Sequence, residues 1–398
     1  MDQDQASQRP PGCPSQGPFQ GAAAFLQALI AVNEPDRLRV WLAAHRLDVD
    51  AVAWLRGQGL APYAFHRLRE VGLVESVAPA ARAELRQAYY RSSADAAIHD
   101  DELRQVLGAL GAASIVPVLF KGATLAHTAY ASSACRPMGD LDLWVTDEEM
   151  SRAQAALERL GYVQRTKSAR PVALQAQRRG EVQLVGRAPG TGLVELHWGV
   201  FAGEWLERAA AVDEAAIHAR CLPLDVLGCP ASTLAPEDAV IQLAAHLAIN
   251  HQFAYLGLRG LLDIAMTSRW QRVDWDIVAA RASAWRIATV VWLVHRFATD
   301  MLGLDEAAAA LERLRPSLLR RWLLSLLVNP RSLLEMRNLT RGPQRLVLQL
   351  LLVDRPRDAA RLFWRALWPE EDWLAARYGC RDVRTRCRHL LGALQGKI

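Results

Sequence analysis

Two aspartates, Asp140 and Asp142, lie one residue apart in the apolar segment 139–145. The side chains of a β-strand alternate between its two faces, so this spacing places both carboxylates on one face and leucines on the other. Neighbouring carboxylates repel each other and raise each other's pKa unless a positive charge lies between them. A divalent cation such as Mg²⁺, which prefers hard oxygen ligands, supplies that charge. The pattern predicts a metal site; a solvated strand face is the alternative.

The sequence contains three Asp-x-Asp motifs, and only the middle one lies within a strand pattern. Asp48 and Asp274 begin the other two motifs, and each of these precedes an apolar segment with helical periodicity. Aspartate is a favoured helix N-cap, and aspartates in the first turn complement the helix dipole. We therefore expect the first and third motifs to be helix caps, which leaves the middle motif as the candidate site.

The segment before the aspartate pair predicts a short strand that turns into a helix. Residues 115–120 are apolar, Lys121 and Gly122 follow, and residues 123–131 have helical character. A helix N-terminus presents free backbone N–H groups, which suit a phosphate. Lys121 is one of three lysines among 47 basic residues, and its compact ammonium group also suits a phosphate contact. The alternative is a surface lysine beside a glycine needed for helix packing.

A β-hairpin is predicted downstream, with strands at 181–186 and 193–200 around a turn rich in glycine and proline. Glu195 and His197 share one face of the second strand. If that strand lies beside the strand of Asp140, Glu195 becomes a third carboxylate, and three such groups are typical of a two-metal phosphoryl-transfer site. His197 either orients a carboxylate or a substrate, or is a packed structural histidine.

These motifs together resemble a known protein family. The sequences Leu-Phe-Lys-Gly-Ala at 119–123, Arg-Pro-Met-Gly-Asp-Leu-Asp-Leu-Trp-Val at 136–145 and Val-Glu-Leu-His-Trp at 194–198 carry the resemblance. They look like the bacterial "uncharacterised nucleotidyltransferase" family of the polymerase-β-like nucleotidyltransferase superfamily. The similarity extends over roughly residues 20 to 300.

The resemblance implies a set of catalytic and metal-binding residues. Asp140, Asp142 and Glu195 would be the catalytic carboxylates and would bind Mg²⁺, as one ion or two, with Mn²⁺ as a substitute. The implied reaction is transfer of an NMP group from an NTP to a hydroxyl or phosphate acceptor, with release of pyrophosphate. The acceptor would be a small molecule, a sugar, a peptide or a protein.

The resemblance also implies nucleotide-binding residues. Lys121 and Gly122 occupy the place of the superfamily's Gly-Ser signature, which this sequence lacks, and would contact the phosphates of the nucleotide. Arg136 would be a second phosphate contact, and Gly139 would also lie at the nucleotide. The alternative function is a non-catalytic nucleotide-binding or scaffold protein that retains the fold. A nucleic-acid acceptor is less favoured, because the core has no basic stripe.

The predicted helix 237–251 carries His246 and His251 on an otherwise apolar surface. Together with His197, these histidines could line the pocket for the acceptor. The alternative is that both are core histidines with satisfied hydrogen bonds. A second polar feature is the basic segment 377–388, which contains five arginines. It either contacts an anionic partner, such as a polyanionic acceptor or a membrane surface, or forms a solvated helix face.

The composition is ordinary for a globular protein, with 398 residues, 51% hydrophobic and 22% charged. The net charge of +5 is a weak reason to expect nucleic acid. The six cysteines lack paired metal-ligand spacing, which favours free thiols in a reducing cytoplasm. No apolar run reaches the roughly 18 residues of a transmembrane helix. The N-terminus has no signal-peptide layout.

The order of patterns predicts an α+β fold. A small mixed β-sheet, the nucleotidyltransferase core, would be flanked by N-terminal and C-terminal helical regions. We expect a disordered tail at residues 1–20, a helical region at 21–110, the core at 111–230 and a helical domain at 231–398.

Overall fold

The computed structural model describes residues 18–32, 34–165, 180–188, 190–254, 257–335 and 343–394. The predicted disordered tail therefore lies outside the described residues except for its last three. No helix in these ranges is both long enough and apolar enough to span a bilayer. The fold is α+β, as predicted, with a seven-stranded mixed sheet and helices on both of its sides.

Helices make up most of the described chain. The last helix before the sheet is the 34-residue helix Pro79–Ala112. It has proline at its first position, where a backbone N–H would have no hydrogen-bond partner within the helix. In chain order the described α-helices are Ala22–Ile30, Asp36–Ala44, Val49–Gly57, Ala61–Glu70, Pro79–Ala112, Gly122–Thr128, Met150–Arg159, Glu204–Ala209, Glu214–Ala219, Pro236–Ala245, Gly257–Trp270, Trp275–Ala284, Ala288–Leu302, Ala308–Leu311, Leu318–Leu327, Pro330–Leu334, Pro343–Leu351, Pro356–Leu367, Glu371–Tyr378 and Val383–Leu394.

The two outer Asp-x-Asp motifs are helix caps, as predicted. The Asp48 carboxylate accepts the backbone N–H of Ala51 at 2.9 Å. The Asp274 carboxylate accepts the backbone N–H groups of Asp276 and Ile277 at 3.0 and 3.2 Å. Each bond satisfies donors that a helix N-terminus leaves unpaired.

The sheet is formed by strands from the middle of the chain. They are β1 (Val118–Leu119), β2 (Asp140–Trp144), β3 (Tyr162–Arg165), β4 (Glu181–Gly186), β5 (Leu193–His197), β6 (Leu222–Val226) and β7 (Cys229–Thr233). Their order across the sheet is β3-β4-β5-β2-β1-β7-β6. The pairs β2·β5 and β1·β7 are parallel, and the other pairs are antiparallel. The predicted hairpin is β4·β5, whereas β3, β6 and β7 have no counterpart in the sequence-based prediction.

The register of β2 against β5 brings the candidate residues together. Asp142 lies directly opposite Glu195, and Trp144 lies opposite His197. Leu143 lies opposite Leu196, and both side chains point to the other face of the sheet. The strand of Glu195 therefore pairs with the strand of Asp140, which is the condition under which Glu195 was expected beside the aspartates, and Glu195 lies opposite Asp142.

The two faces of the sheet are covered by different apolar clusters. Leu141, Leu143 and Leu196 pack with the second half of the helix Pro79–Ala112 and with the helix Met150–Arg159. On the opposite face, Val118, Phe120 and Trp144 join a larger cluster that includes N-terminal and C-terminal helices. The carboxylates of β2 and β5 lie on this second face.

The predicted division of the chain into regions stays a prediction. The helix Pro79–Ala112 crosses the proposed boundary at residue 110, and its second half packs on the sheet. The larger apolar cluster joins residues from both predicted helical regions.

Candidate active site

Asp142 is the centre of a compact polar cluster on the sheet. Its atom Oδ1 accepts hydrogen bonds from Lys121 Nζ at 2.8 Å and from His197 Nε2 at 2.9 Å. His197 Nε2 also lies 3.7 Å from Oε2 of Glu195. The Glu195 carboxylate in turn accepts a hydrogen bond from Gln183 on β4. Asp142 and His197 are buried and Glu195 is half-buried, so these charges interact in a poorly screened environment.

Lys121 reaches Asp142 because of an unusual backbone conformation. The chain leaves β1 through Lys121 at φ 53° and ψ −127°, and the helix Gly122–Thr128 begins at the next residue. Positive φ is uncommon for residues other than glycine and is found disproportionately at functional sites. The Lys121 ammonium lies 5.0 Å from the centre of the Phe120 ring, which adds a cation–π contact on its apolar side.

The carboxylates of the cluster have pKa values shifted in opposite directions. Burial acts to raise the pKa of Asp142, but the charge of Lys121 and the hydrogen bond from His197 outweigh it, and the net shift is downward. For Lys121, burial is outweighed by the attraction of Asp142, and its pKa is raised. Asp142 and Lys121 are therefore an ionised buried pair.

Asp140 and Glu195 have the opposite shift. Burial first, and the negative charge of Asp142 second, raise the pKa of Asp140. The same two causes raise the pKa of Glu195. The single positive charge of Lys121 does not neutralise all three carboxylates, so the cluster favours a further cation.

The donor set fits a divalent metal ion. One ligand atom each from Asp142, Glu195 and His197 lies within 4.8 Å of the others. Two carboxylates and an imidazole suit Mn²⁺ and other first-row ions, and the carboxylates suit Mg²⁺. His197 Nδ1 is buried and has no hydrogen-bond partner among the described residues. Asp140 lies on the same strand face but is not part of this three-residue group.

A sequence model of a family described as uncharacterised nucleotidyltransferases matches residues 48–303. The chain belongs to this family. The match covers more than half of the sequence and includes every strand of the sheet. Comparisons with curated proteins and with solved structures found no match. The chain is thus an enzyme of the nucleotidyltransferase type, with a candidate metal site at the three-residue group.

Arg136 forms a buried ion pair with Asp263, and its charge also interacts with Asp140. Its guanidinium donates Nε and Nη2 to the two carboxylate oxygens of Asp263 at 3.2 and 2.9 Å. Tyr130 donates its hydroxyl to Asp263 Oδ1 at 2.8 Å. The guanidinium therefore uses its Nε and Nη2 donors in a buried network with Asp263. A phosphate contact by Arg136 stays a prediction, and the geometry supports a positioning role instead.

The two glycines of the predicted nucleotide site have different surroundings. A Cβ at Gly122 would overlap the Arg136 guanidinium, so only glycine lets the loop and the arginine approach this closely. A Cβ at Gly139 would meet no atom within 4 Å. The role of Gly139 as a nucleotide contact stays a prediction.

His246 and His251 form a hydrogen-bonded pair beside the cluster. Their Nε2 atoms are 2.8 Å apart, and the rings meet edge to face. The helix Pro236–Ala245 continues as a π-helical turn over His246–Asn250, in which the His251 N–H donates to the His246 carbonyl. Such turns are rare and frequently lie at functional sites. The helical prediction for 237–251 is therefore confirmed except for its last turn.

Both histidines of the pair are neutral near pH 7. Burial, followed by the charge of Lys121, lowers the pKa of His246 well below its usual value. Part of the His251 side chain is open to solvent. Burial of the rest, followed by the charges of Lys121 and Arg259, lowers its pKa to about 4. The charges of Lys121 and Asp142 act on both rings, so the pair lies within electrostatic reach of the carboxylate cluster.

Arg259 is a residue of this site that the sequence-based prediction missed. It lies on the helix Gly257–Trp270 and donates Nη1 to the Pro137 carbonyl at 2.8 Å. Its charge lowers the pKa of His251 and counteracts the raised pKa of Asp140, so it lies near both side chains. No local motif marks it, because its position depends on a helix more than 100 residues after β2.

Two cavities among the described residues lie apart from the cluster. They have volumes of about 430 and 640 Å³. Neither is lined by Lys121, Asp142, Glu195 or His197.

Proposed function

We propose that this nucleotidyltransferase transfers an NMP group from an NTP to a hydroxyl or phosphate oxygen of an acceptor, in a Mg²⁺-dependent reaction that releases pyrophosphate. The observation that supports the proposal best is the position of Asp142 directly opposite Glu195, with Lys121 and His197 on the same Asp142 oxygen. The acceptor would be a small molecule, a sugar, a peptide or a protein.

The carboxylate cluster would provide the metal site. Asp142, Glu195 and His197, with Asp140 on the same strand face, would hold Mg²⁺ or Mn²⁺, which when bound neutralises phosphate charge and acidifies an acceptor oxygen. The raised pKa values of Asp140 and Glu195 support this assignment, because after burial their second cause is the negative charge of Asp142, which Lys121 alone does not compensate.

The phosphates of the NTP would be held by Lys121 and Arg259. An ammonium group has three N–H donors, so a Lys121 that donates one to Asp142 can also donate to a phosphate oxygen. Arg259 adds a second positive charge on the side of Asp140. Held in this way, the α-phosphorus would face the acceptor, and charge developing on the departing pyrophosphate would meet fixed positive groups.

The histidine pair would lie on the acceptor side. A neutral imidazole can accept a hydrogen bond or a proton, whereas an imidazolium cannot. His246 and His251 are both neutral near pH 7, so the pair is suited to accept a hydrogen bond from an acceptor hydroxyl and to orient it, although the lowered pKa values make both rings weak bases. The acceptor oxygen would then attack the α-phosphorus as the bond to the bridging oxygen breaks, and the proton of an acceptor hydroxyl would be released to solvent.

Binding of nucleotides can test the proposal without knowledge of the acceptor. Isothermal titration calorimetry would use non-hydrolysable analogues of the four NTPs, with and without Mg²⁺, on wild type and on Asp142→Asn. Asp276→Asn is the matched control, because Asp276 belongs to an outer Asp-x-Asp motif on an exposed helix start. Electron paramagnetic resonance of Mn²⁺ on the same proteins would report metal binding directly.

We expect Mg²⁺-dependent binding of at least one analogue to wild type and to Asp276→Asn, and its loss in Asp142→Asn. Once an acceptor is known, Asp142→Asn should also lose on the order of a hundredfold or more in turnover. Absence of binding to folded wild type would contradict the proposal and favour a scaffold protein that retains the fold.

A cytoplasmic location is part of the proposal. The five cysteines among the described residues, which are Cys135, Cys221, Cys229, Cys380 and Cys387, are free thiols. Free thiols favour a reducing compartment.

A further inference from the structure

The charge of the chain is concentrated at its C-terminal end. Residues 313–398 contain 18 Lys and Arg against 7 Asp and Glu, a net charge of +11. The preceding 312 residues contain 29 basic and 35 acidic residues, a net charge of −6. The modest overall charge therefore hides a strongly basic C-terminal region, and such asymmetry indicates an anionic partner.

Within this region, the helix Leu318–Leu327 turns an apolar face to solvent. The exposed fractions are 77% for Leu318, 66% for Leu319, 58% for Trp322 and 62% for Leu326. At about 100° per residue, these four side chains fall within an arc of about 100° on the helix. We call them the Leu/Trp face.

No packing contact among the described residues explains why the Leu/Trp face is exposed. A surface helix normally buries its apolar stripe and exposes its polar side. Here Leu324 is the buried contact of the helix, and the Leu/Trp face points away from the core. The helix contains no Asp or Glu, and its charged residues are Arg320 and Arg321. Exposed apolar surface of this kind marks an interaction site.

A second helix nearby shows the same combination of side chains. The helix Pro356–Leu367 exposes Arg357, Arg361, Phe363 and Trp364. It packs on the helix Pro343–Leu351, which also packs on the helix Leu318–Leu327. Arginine beside tryptophan and phenylalanine is typical of helices that lie at a membrane interface.

We infer that the helices Leu318–Leu327 and Pro356–Leu367 bind the protein to an anionic membrane surface. The Leu/Trp face would enter the boundary between headgroups and acyl chains, and the surrounding arginines would contact anionic headgroups. This inference concerns a surface separate from the carboxylate cluster and does not depend on the proposed reaction.

Two other occupants fit the surface less well. Nucleic acid is bound by basic grooves with aromatic side chains that stack on bases, and the three exposed leucines of the Leu/Trp face provide no stacking. A second copy of the chain would bring one region of net charge +11 against another, which like-charge repulsion opposes. An anionic lipid surface matches both the aliphatic face and the charge.

Vesicle co-sedimentation of the full chain tests the inference. The vesicles would be pure phosphatidylcholine, or phosphatidylcholine mixed with phosphatidylglycerol, each at low and at high salt. We expect at least tenfold stronger partitioning onto the anionic vesicles at low salt, and a decrease at high salt. The variant Trp322→Ser/Leu326→Ser should lose at least tenfold, and Arg357→Gln/Arg361→Gln should lose on the order of fivefold per charge.

The matched control is Val40→Ser/Val116→Ser, which removes exposed apolar side chains elsewhere and should partition like wild type. Circular dichroism would establish that each variant is folded. Equal or absent partitioning of wild type on the two vesicle types would overturn the inference, and so would an unchanged Trp322→Ser/Leu326→Ser variant. Sedimentation equilibrium and oligonucleotide binding complete the test. A dimer that this variant dissociates, or oligonucleotide binding that it abolishes, would assign the face to another partner and overturn the inference.

Discussion

The guanidinium of Arg136 occupies the space next to Gly122 that any side chain at that position would need. Asp263, on the helix Gly257–Trp270, fixes this guanidinium with two hydrogen bonds. The buried ion pair thus links a C-terminal helix to the loop that carries Lys121. We conclude that the conformation of the candidate phosphate loop depends on contacts more than 100 residues away in sequence.

Substitution of Gly122 by alanine should disturb both the loop and nucleotide binding. The new Cβ would displace Arg136 or shift the loop, and overpacking of this kind costs about 1–3 kcal/mol. We expect a lower free energy of unfolding by urea denaturation and weaker binding of the Mg²⁺–NTP analogue by calorimetry. Gly108→Ala is the control, because its Cβ would meet no atom within 4 Å. Equal behaviour of the two variants would contradict the close approach of Arg136.

Substitution of Arg136 by methionine should mainly reduce stability. The change leaves Asp263 buried without its partner, and breaking such a pair costs about 3–5 kcal/mol. The double variant Arg136→Met/Asp263→Asn should regain part of this loss, because the uncompensated charge is gone. By comparison, Arg37→Met removes an exposed ion pair and should cost less than about 1 kcal/mol.

Urea denaturation of these three variants separates the two roles considered for Arg136. A phosphate-binding Arg136 would give a different result: Arg136→Met would keep wild-type stability and lose only nucleotide affinity.

Arg259 should contribute to affinity in proportion to the phosphate charge of the ligand. A charge-assisted hydrogen bond contributes about 1.5–3 kcal/mol, so Arg259→Gln should weaken binding of an NTP analogue about tenfold or more. Binding of the corresponding NMP, which lacks the β- and γ-phosphates, should change much less. Arg269→Gln, near the other end of the same helix, is the control. Calorimetry with both ligands gives the ratio, and an equal loss for NTP and NMP would argue against contact with the triphosphate.

The strand faces that carry the carboxylates were predictable because strand geometry is local. Alternation along β5 places Glu195 and His197 on one face of that strand, whereas their meeting with Asp142 depends on the pairing of β2 with β5, which was only a condition of the prediction. The outer Asp-x-Asp motifs were predictable for the same reason, since capping involves residues two or three positions apart. The family resemblance then supplied the chemistry of the cluster.

Other contacts around the site were not predictable from its sequence motifs. Arg136 and Asp263 are 127 positions apart, and no local pattern pairs them. His246 and His251 are five positions apart, which in an α-helix separates side chains by about 140° and predicts no contact. The π-helical turn removes that separation and brings the two Nε2 atoms to 2.8 Å.

A last prediction concerns His295, which lies apart from the carboxylate cluster. The side chain is buried against the Trp275 ring, and neither ring nitrogen has a hydrogen-bond partner among the described residues. Burial lowers its pKa to about 3. In the unfolded chain the pKa is about 6.5, so below that pH the unfolded state binds a proton that the folded state does not. The contribution of neutral His295 to the free energy of unfolding is therefore fully present above pH 6.5 and is lost progressively as the pH is lowered toward 3.

Between pH 7 and pH 5, this single group should lower the free energy of unfolding by about 2 kcal/mol. We expect His295→Leu to have a correspondingly flatter stability profile than wild type when urea denaturation is repeated across this range. At pH 8 neither state of His295 is charged, so the difference between the two proteins there reports packing alone. A parallel pair of profiles would mean that folded His295 accepts a proton as readily as the unfolded chain, and that its environment is more polar than the burial of both nitrogens implies.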